Sequence, residues 1–172
     1  MAALISALLE LARNDAGRLT LDLQLWDPEQ LLVEAFERFE PLAPSRLLLA
    51  GSTPNGCPPI LVDRERLQQC LLALVDNALA YSQASVMLSV SFGHEHSGAW
   101  VRLHVLDRGP GIPLRERERV LERFVRGTSS MGTRGSGIGL SVVQDLSIAM
   151  GAALVIEDRD GGGADLQLRF KA

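Results

Sequence analysis

The chain has 172 residues, 47% of them hydrophobic, so it is long enough to bury one packed core. Its net charge of -4 and isoelectric point of about 5.4 argue against nucleic acid as the main partner. No apolar run approaches the roughly eighteen residues that cross a bilayer, and the two cysteines lack the spacing of a metal or redox site. These features favour a single domain in a reducing, cytoplasmic compartment.

The first part of the chain carries apolar residues at helical spacing and ends in a helix-stop sequence, 14–17. It lacks a basic leader and contains Glu10, which argues against a secretory signal. A helix this short is marginal alone. Two interpretations stay open: a frayed tail, or the end of a longer helix that pairs with another chain.

The following segments alternate between predicted strands and helices. Every second residue from Leu19 to Leu25 is leucine, which predicts a strand. Residues 27–29 then predict a helix start, because an aspartate cap is followed by a proline and an acid. Strands are predicted at 46–50 and 60–62, with a loop at 53–59 between them. We expect these parts to be structural.

Asp63 is predicted to cap a helix over 64–82 whose apolar residues face the core. Asp76 and Asn77 interrupt that apolar pattern. A buried carboxylate and amide in mid-helix need partners. Two interpretations remain: a satisfied hydrogen bond in the core, or an Asn77 side chain that supplies an oxygen ligand to Mg²⁺.

Four further strands are predicted from alternation and turn residues, at 85–92, 100–106, 153–157 and 164–170. The first two are joined by a polar turn that contains His94 and His96. Their spacing and the lack of a third ligand argue against a metal site. His104 alternates with core residues, so it is predicted to be a plain surface or sheet residue.

Two glycine clusters bracket a polar segment. The first, 107–113, follows a predicted strand, and the second, 135–140, runs into a helix predicted to reach Met150. A helix N-terminus offers unpaired N–H groups and the positive end of the helix dipole, and glycine permits close approach to that backbone. The pattern therefore predicts an anion site.

The clusters also exclude two common nucleotide-binding folds. Neither cluster supplies a lysine, so a P-loop is absent, and the long loop before the second cluster argues against a dinucleotide fold. The segment from Arg108 to Arg134 carries seven arginines. This local excess of positive charge suits a small polyanionic ligand.

Four motifs, in this order, resemble those of the ATP-binding catalytic domain of two-component sensor histidine kinases. That superfamily is shared with DNA gyrase B, the ninety-kilodalton heat-shock chaperone and the mismatch-repair ATPases. The similar segments are an asparagine motif at 72–82, a first glycine motif at 107–112, a phenylalanine motif at 122–127 and a second glycine motif at 135–140. The resemblance implies an α/β two-layer sandwich in which a mixed sheet of about five strands is backed by three helices.

The resemblance also implies how the chain binds ATP and Mg²⁺. Asn77 would hold Mg²⁺ against the phosphates, and Tyr81 would pack near the adenine. Asp107 would accept the adenine amino group, Phe124 would anchor the lid over the nucleotide, and Arg126 is our first choice among the lid arginines for the γ-phosphate. The other predicted nucleotide-binding residues lie in the glycine motifs: Gly109, Gly111, Ile112, Gly135, Gly137, Gly139 and Leu140.

Two alanines depart from the family pattern. Many members have a second asparagine at the position of Ala73 and a lysine or arginine at the position of Ala80. Fewer polar and charged side chains would therefore surround the phosphates and the metal in this chain. The ATP-hydrolysing relatives carry a water-activating glutamate at the position of Ala73, so its absence favours phosphotransfer over hydrolysis.

The family's phosphate-accepting histidine is also missing, because His94 lies in the wrong context. Residues 1–16 are interpreted as the end of a dimerisation and phosphoacceptor helix, and 17–172 as the ATP-binding domain with a lid at about 110–135. The implied partners are the protein's own dimerisation domain and a response regulator. The resemblance further implies a full-length homodimer in the inner membrane, with this domain in the cytoplasm.

Two other functions are compatible with parts of the sequence. A small regulatory module like the anti-sigma-factor serine kinases has a compatible length, although 1–16 resembles the end of a bundle helix instead. A weak ATP-binding scaffold for protein interaction is suggested by Ala73 and Ala80.

Overall fold

The computed structural model describes residues 20–51, 53, 56–95, 98–125 and 137–172. The predictions for 1–16, Arg126 and Gly135 fall outside these described residues. The structural statements that follow concern the described parts alone.

The helices and strands follow the predicted order closely. They are β1 (Gln24–Trp26), α1 (Pro28–Phe39), β2 (Leu47–Leu49), β3 (Ile60–Val62), α2 (Arg64–Tyr81), β4 (Val86–Glu95), β5 (Gly98–Leu106), α3 (Gly139–Ala149), β6 (Ala153–Asp158) and β7 (Ala164–Lys171). Short 3₁₀ helices lie at Glu40–Leu42, Leu114–Glu116 and Arg119–Leu121.

Five strands form one mixed sheet in the order β2-β4-β5-β7-β6. Strand β2 runs parallel to β4, while the other neighbours are antiparallel. Strands β1 and β3 pair separately as a small antiparallel ribbon. The mixed five-stranded sheet with its helices confirms the predicted α/β sandwich.

One face of the sheet packs against the helices and forms the core. On β5 the alternating residues Val101, Leu103 and Val105 are fully buried, as the period of two requires. Leu67 and Leu71 on α2 are also fully buried and belong to the same apolar cluster. None of the described helices has the length and apolarity that crossing a bilayer requires.

The opposite face of the sheet carries polar side chains that bond to each other. His104 lies on β5, as predicted, and its Nδ1 is 3.0 Å from an Asp165 oxygen. Its Nε2 is 2.8 Å from the Ser91 hydroxyl, and Gln167 donates to Asp165 at 2.7 Å. These mutual hydrogen bonds explain how Asp165 and Gln167 are accommodated although both are buried.

The β4–β5 hairpin differs from the prediction. The sequence predicts a polar turn over 93–98, but β4 continues to Glu95 and β5 begins at Gly98. His94 therefore lies in the strand, opposite Ala99. Backbone pairing extends past the apolar residues because strand hydrogen bonds do not require a buried side chain at an exposed end.

Candidate nucleotide-binding site

Asp107 lies directly after β5, and its carboxylate is held by backbone donors. The residue is only 3% exposed. Its Oδ1 accepts hydrogen bonds from the N–H groups of Gly109, at 2.7 Å, and Ala164, at 3.2 Å. Within the described residues both of these bonds end on Oδ1, which leaves Oδ2 for a donor on a ligand.

Glycines let three segments approach each other around this carboxylate. A Cβ on Gly109 would lie 2.6 Å from the Tyr81 carbonyl oxygen, and a Cβ on Gly163 would overlap the carbonyl of Asp107. Gly111 has a φ of +72°, a conformation that side chains rarely adopt. The loop that carries Asp107 is therefore packed between the end of α2 and the start of β7.

Several residues that position Asp107 were not singled out from the sequence. Ser82 accepts a hydrogen bond from the Arg108 N–H through its hydroxyl, at 3.3 Å. Arg159 donates from Nη1 to the Asp107 carbonyl at 3.1 Å. The sequence does carry one signal for this close approach, the three successive glycines at 161–163 between β6 and β7.

On α2, the structure separates the two polar residues that the sequence grouped together. Asp76 is exposed, so its expected burial is wrong, whereas Asn77 is half-buried. Partial desolvation still raises the pKa of the Asp76 carboxyl above its ordinary value. The described residues offer the Asn77 amide no hydrogen bond, so its oxygen is available to a ligand. Tyr81 follows one turn later, at the end of the helix.

The N-terminus of α3 is built differently from a capped helix start. Ile138 precedes the helix and is buried, and among the described residues no side chain caps the first turn. A Cβ on Gly139 would meet no atom of the described residues within 4 Å. Gly137 has a φ of +69°, and Leu140 packs against the core. A helix start of this kind can bind an anion, so the anion site stays a prediction that this geometry permits.

Phe124 lies next to the part of the lid that falls outside the described residues, so its predicted anchoring role stays a prediction. Phe124 is 67% exposed. Its backbone N–H donates to the Gly137 carbonyl at 3.0 Å. The neighbouring Arg123 reaches Asp145 on α3 at 3.1 Å. Backbone and ion-pair contacts thus tie the phenylalanine motif to the second glycine motif.

Comparisons with known proteins identify the family of this chain. Residues 62–172 match the family described as histidine kinase-, DNA gyrase B-, and HSP90-like ATPase. The adaptive-response sensory kinase SasA of Prochlorococcus marinus strain MIT 9215 is 39% identical over 90 residues, which are 52% of this chain and 24% of that protein. The sensor-like histidine kinase SenX3 of Mycobacterium bovis is 29% identical over 171 residues, which are 98% of this chain and 41% of that protein.

Among solved structures, full-length ShkA in complex with AMPPNP superimposes with a TM-score of 0.79 and 34% identity. The match covers 97% of this chain and 35% of the ShkA chain. This chain therefore spans less than half the length of these relatives. It belongs to the family of histidine kinase-, DNA gyrase B- and HSP90-like ATPases, and within it to the ATP-binding catalytic domains of sensor histidine kinases.

Proposed function

We propose that this chain binds ATP with Mg²⁺ and transfers the γ-phosphoryl group to a histidine on a dimerisation domain, for relay to a response regulator. The observation that carries the proposal is the buried Asp107 carboxylate. Its Oδ1 accepts two backbone hydrogen bonds, and in the described residues its Oδ2 remains able to accept one from a ligand. A buried acceptor of this kind suits the amino group of adenine. The family match supports ATP as the nucleotide.

In this proposal the adenine lies against the loop that starts at Asp107. Oδ2 accepts the adenine amino group, while Gly109 and Gly111 let the loop backbone pass close to the base. The half-buried Ile112 packs against the core beside them, and Tyr81 at the end of α2 contributes to the same wall. Because a fixed acceptor needs no reordering when the base arrives, it favours binding.

Asn77 is the proposed Mg²⁺ ligand. Its amide oxygen is a hard donor of the kind that Mg²⁺ takes, and no described residue occupies it. Among the described residues no three histidine, cysteine, aspartate or glutamate side chains form a metal site. This fits Mg²⁺, which usually keeps waters and substrate phosphates as most of its ligands. When bound, the ion neutralises phosphate charge.

The phosphates are proposed to lie at the N-terminus of α3. No side chain in the described part of the chain caps the first turn or lies within 4 Å of a Cβ on Gly139, so the N–H groups of this turn can donate to the phosphates. Gly137 and Leu140 shape the same turn. Gly135 and Arg126 lie outside the described residues, and their contacts with the phosphates rest on the sequence resemblance alone.

The chain's contribution to phosphotransfer is positioning and charge compensation rather than covalent chemistry. Ala73 offers no carboxylate that would activate a water, which favours transfer to a protein acceptor over hydrolysis. Ala80 likewise leaves one positive charge fewer near the phosphates. Both substitutions predict modest affinity for ATP rather than loss of binding.

The setting of the whole protein is proposed from the resemblance to sensor kinases. Residues 1–16 would be the end of a dimerisation and phosphoacceptor helix, and 17–172 the ATP-binding domain with its lid at about 110–135. The longer protein would be a membrane-bound homodimer with this domain in the cytoplasm.

Phosphotransfer in solution tests the proposal. The purified chain is incubated with γ-labelled ATP, Mg²⁺ and separately produced phosphoacceptor domains from several sensor kinases. We expect label on histidine, recognised because phosphohistidine is labile to acid and stable to alkali, and we expect Asn77→Ala to abolish it. Label on serine or threonine would contradict the kinase assignment, as would its absence from every acceptor despite ATP binding.

A further inference from the structure

Arg117 stands out among the arginines that follow the first glycine motif. It directly follows the 3₁₀ helix at Leu114–Glu116, yet its side chain is only 17% exposed. By contrast, the side chain of nearby Arg115 is 84% exposed. A long charged side chain that is mostly withdrawn from water needs compensating contacts.

The guanidinium of Arg117 makes three such contacts. Its Nε donates to the Ile112 carbonyl at 3.1 Å, and its Nη1 donates to the Ile156 carbonyl at 2.9 Å. Its Nη2 lies 2.6 Å from an oxygen of Asp158. The planar fork of donors can bridge groups that a single-point cation such as lysine cannot.

These contacts join the nucleotide loop to the rim of the sheet. Ile112 ends the loop that begins at Asp107, whereas Ile156 and Asp158 belong to β6, the edge strand of the five-stranded sheet. An edge strand has backbone carbonyls without a strand partner, so the Ile156 carbonyl can accept this bond. The loop is thus held at its start by Ala164 and at its end by Arg117.

We propose that Arg117 is a positioning residue for ATP, because it fixes the far end of the adenine-binding loop against β6. The inference rests on the proposed function of this loop. Arg117 does not touch the nucleotide; it keeps Ile112 and the preceding glycines in the conformation that receives the base. Asp158 is 78% exposed in its side chain, so its ion pair contributes less than the two carbonyl bonds.

The test is calorimetric titration of the whole chain with AMPPNP and Mg²⁺. Arg117→Ala is expected to weaken binding roughly five- to tenfold, because the loop must then be ordered at the expense of binding energy. Arg117→Lys should recover only part of this affinity. Asp158→Asn and the matched control Arg115→Ala should bind like the wild type.

A second titration separates positioning of the base from a general structural effect. Inorganic tripolyphosphate lacks adenine, so Arg117→Ala should leave its affinity unchanged while weakening AMPPNP. Equal weakening of both ligands would overturn the inference, as would unchanged AMPPNP affinity. If Arg117→Ala does not fold, Arg117→Lys must show the selective loss or the inference fails. A wild-type chain that does not bind AMPPNP would instead refute the proposed function itself.

Discussion

Helices α2 and α3 begin in opposite ways. At the start of α2, Asp63 accepts the Arg66 N–H through Oδ1 at 3.1 Å and the Asp22 N–H through Oδ2 at 3.0 Å. The first turn also contains the acidic Glu65. At the start of α3, the described residues supply no capping side chain, and the first turn contains no acid. The hydroxyl of Ser141 donates to the Ile138 carbonyl instead.

The difference shows which helix end is structural and which is available to a ligand. Every helix leaves its first N–H groups without intrahelical partners, and its dipole favours negative charge there. Asp63 supplies that charge from within the protein. At the start of α3 the first N–H groups also lack intrahelical partners, and no described side chain caps them, so a phosphate can accept hydrogen bonds from them.

The largest expected effect comes from placing a carboxylate at the start of α3. Gly139→Asp puts a negative charge where the phosphates are proposed to lie, so AMPPNP affinity should fall roughly a hundredfold because like charges repel. The same carboxylate interacts favourably with the helix dipole, so the free energy of unfolding should rise by about 0.5 kcal/mol. Calorimetry and urea unfolding measure the two effects.

Gly139→Asn is the matched control for this change, because asparagine has the shape of aspartate without its charge. It should weaken AMPPNP binding far less than aspartate does. If asparagine weakened binding as much as aspartate did, steric exclusion rather than charge would explain the loss. If neither variant weakened binding, the phosphates would not lie at this helix end.

Removing the Asp63 cap of α2 should lower the stability of the chain and leave its nucleotide affinity unchanged. Asp63→Ala should lower the free energy of unfolding by about 2 kcal/mol, because two backbone N–H groups lose their acceptor. Nucleotide affinity of the folded chain should not change. Asp27→Ala on α1 should lower the free energy of unfolding by only about 1 kcal/mol, because the Asp27 cap is more exposed than the Asp63 cap. A loss of AMPPNP affinity in Asp63→Ala would contradict the conclusion that the start of α2 is structural only.

A smaller effect concerns Cys70, which lies inside the capped helix α2. Burial raises the pKa of its thiol from 9.0 to about 12. Between these values the unfolded chain loses the thiol proton while the folded chain keeps it, so stability falls as pH rises. From about pH 8 to about pH 10 this thiol should lower the free energy of unfolding by about 1 kcal/mol.

Urea unfolding of the wild type and of Cys70→Ala at both pH values measures this contribution. The alanine variant is expected to start from lower stability because it leaves a small cavity. It should then lose less stability than the wild type over the same pH range. Parallel pH profiles for the two proteins would show that the thiol ionises equally easily in the folded and unfolded states.

Much of the fold was predictable because its signals are local. The Asp63 cap and the apolar spacing placed α2 to within one residue, and alternation located the strands. The ends of β4 and β5 were missed because exposed polar residues continue the pairing. Asp76 was misjudged because its sequence neighbours are apolar, although it lies off the buried stripe that contains Leu71, Leu74 and Ala78.

The candidate site was predictable in part for the same reason. The glycine motifs and Asp107 have sequence signatures, but the donor from Ala164 comes from 57 residues further along the chain. Arg117 likewise contacts β6 at 39 residues' separation. Such pairs depend on how strands lie side by side, which no local pattern reveals.

The most direct test of the central claim exchanges the partner of the adenine amino group. Inosine triphosphate carries a carbonyl where ATP carries that amino group. In Asp107→Asn, the amide oxygen can keep the bonds to Gly109 and Ala164 while the amide nitrogen donates to the ligand. The wild type should prefer ATP by about tenfold or more, and Asp107→Asn should reduce or invert this preference. An unchanged ratio of the two affinities would contradict the assignment of Asp107 to the adenine.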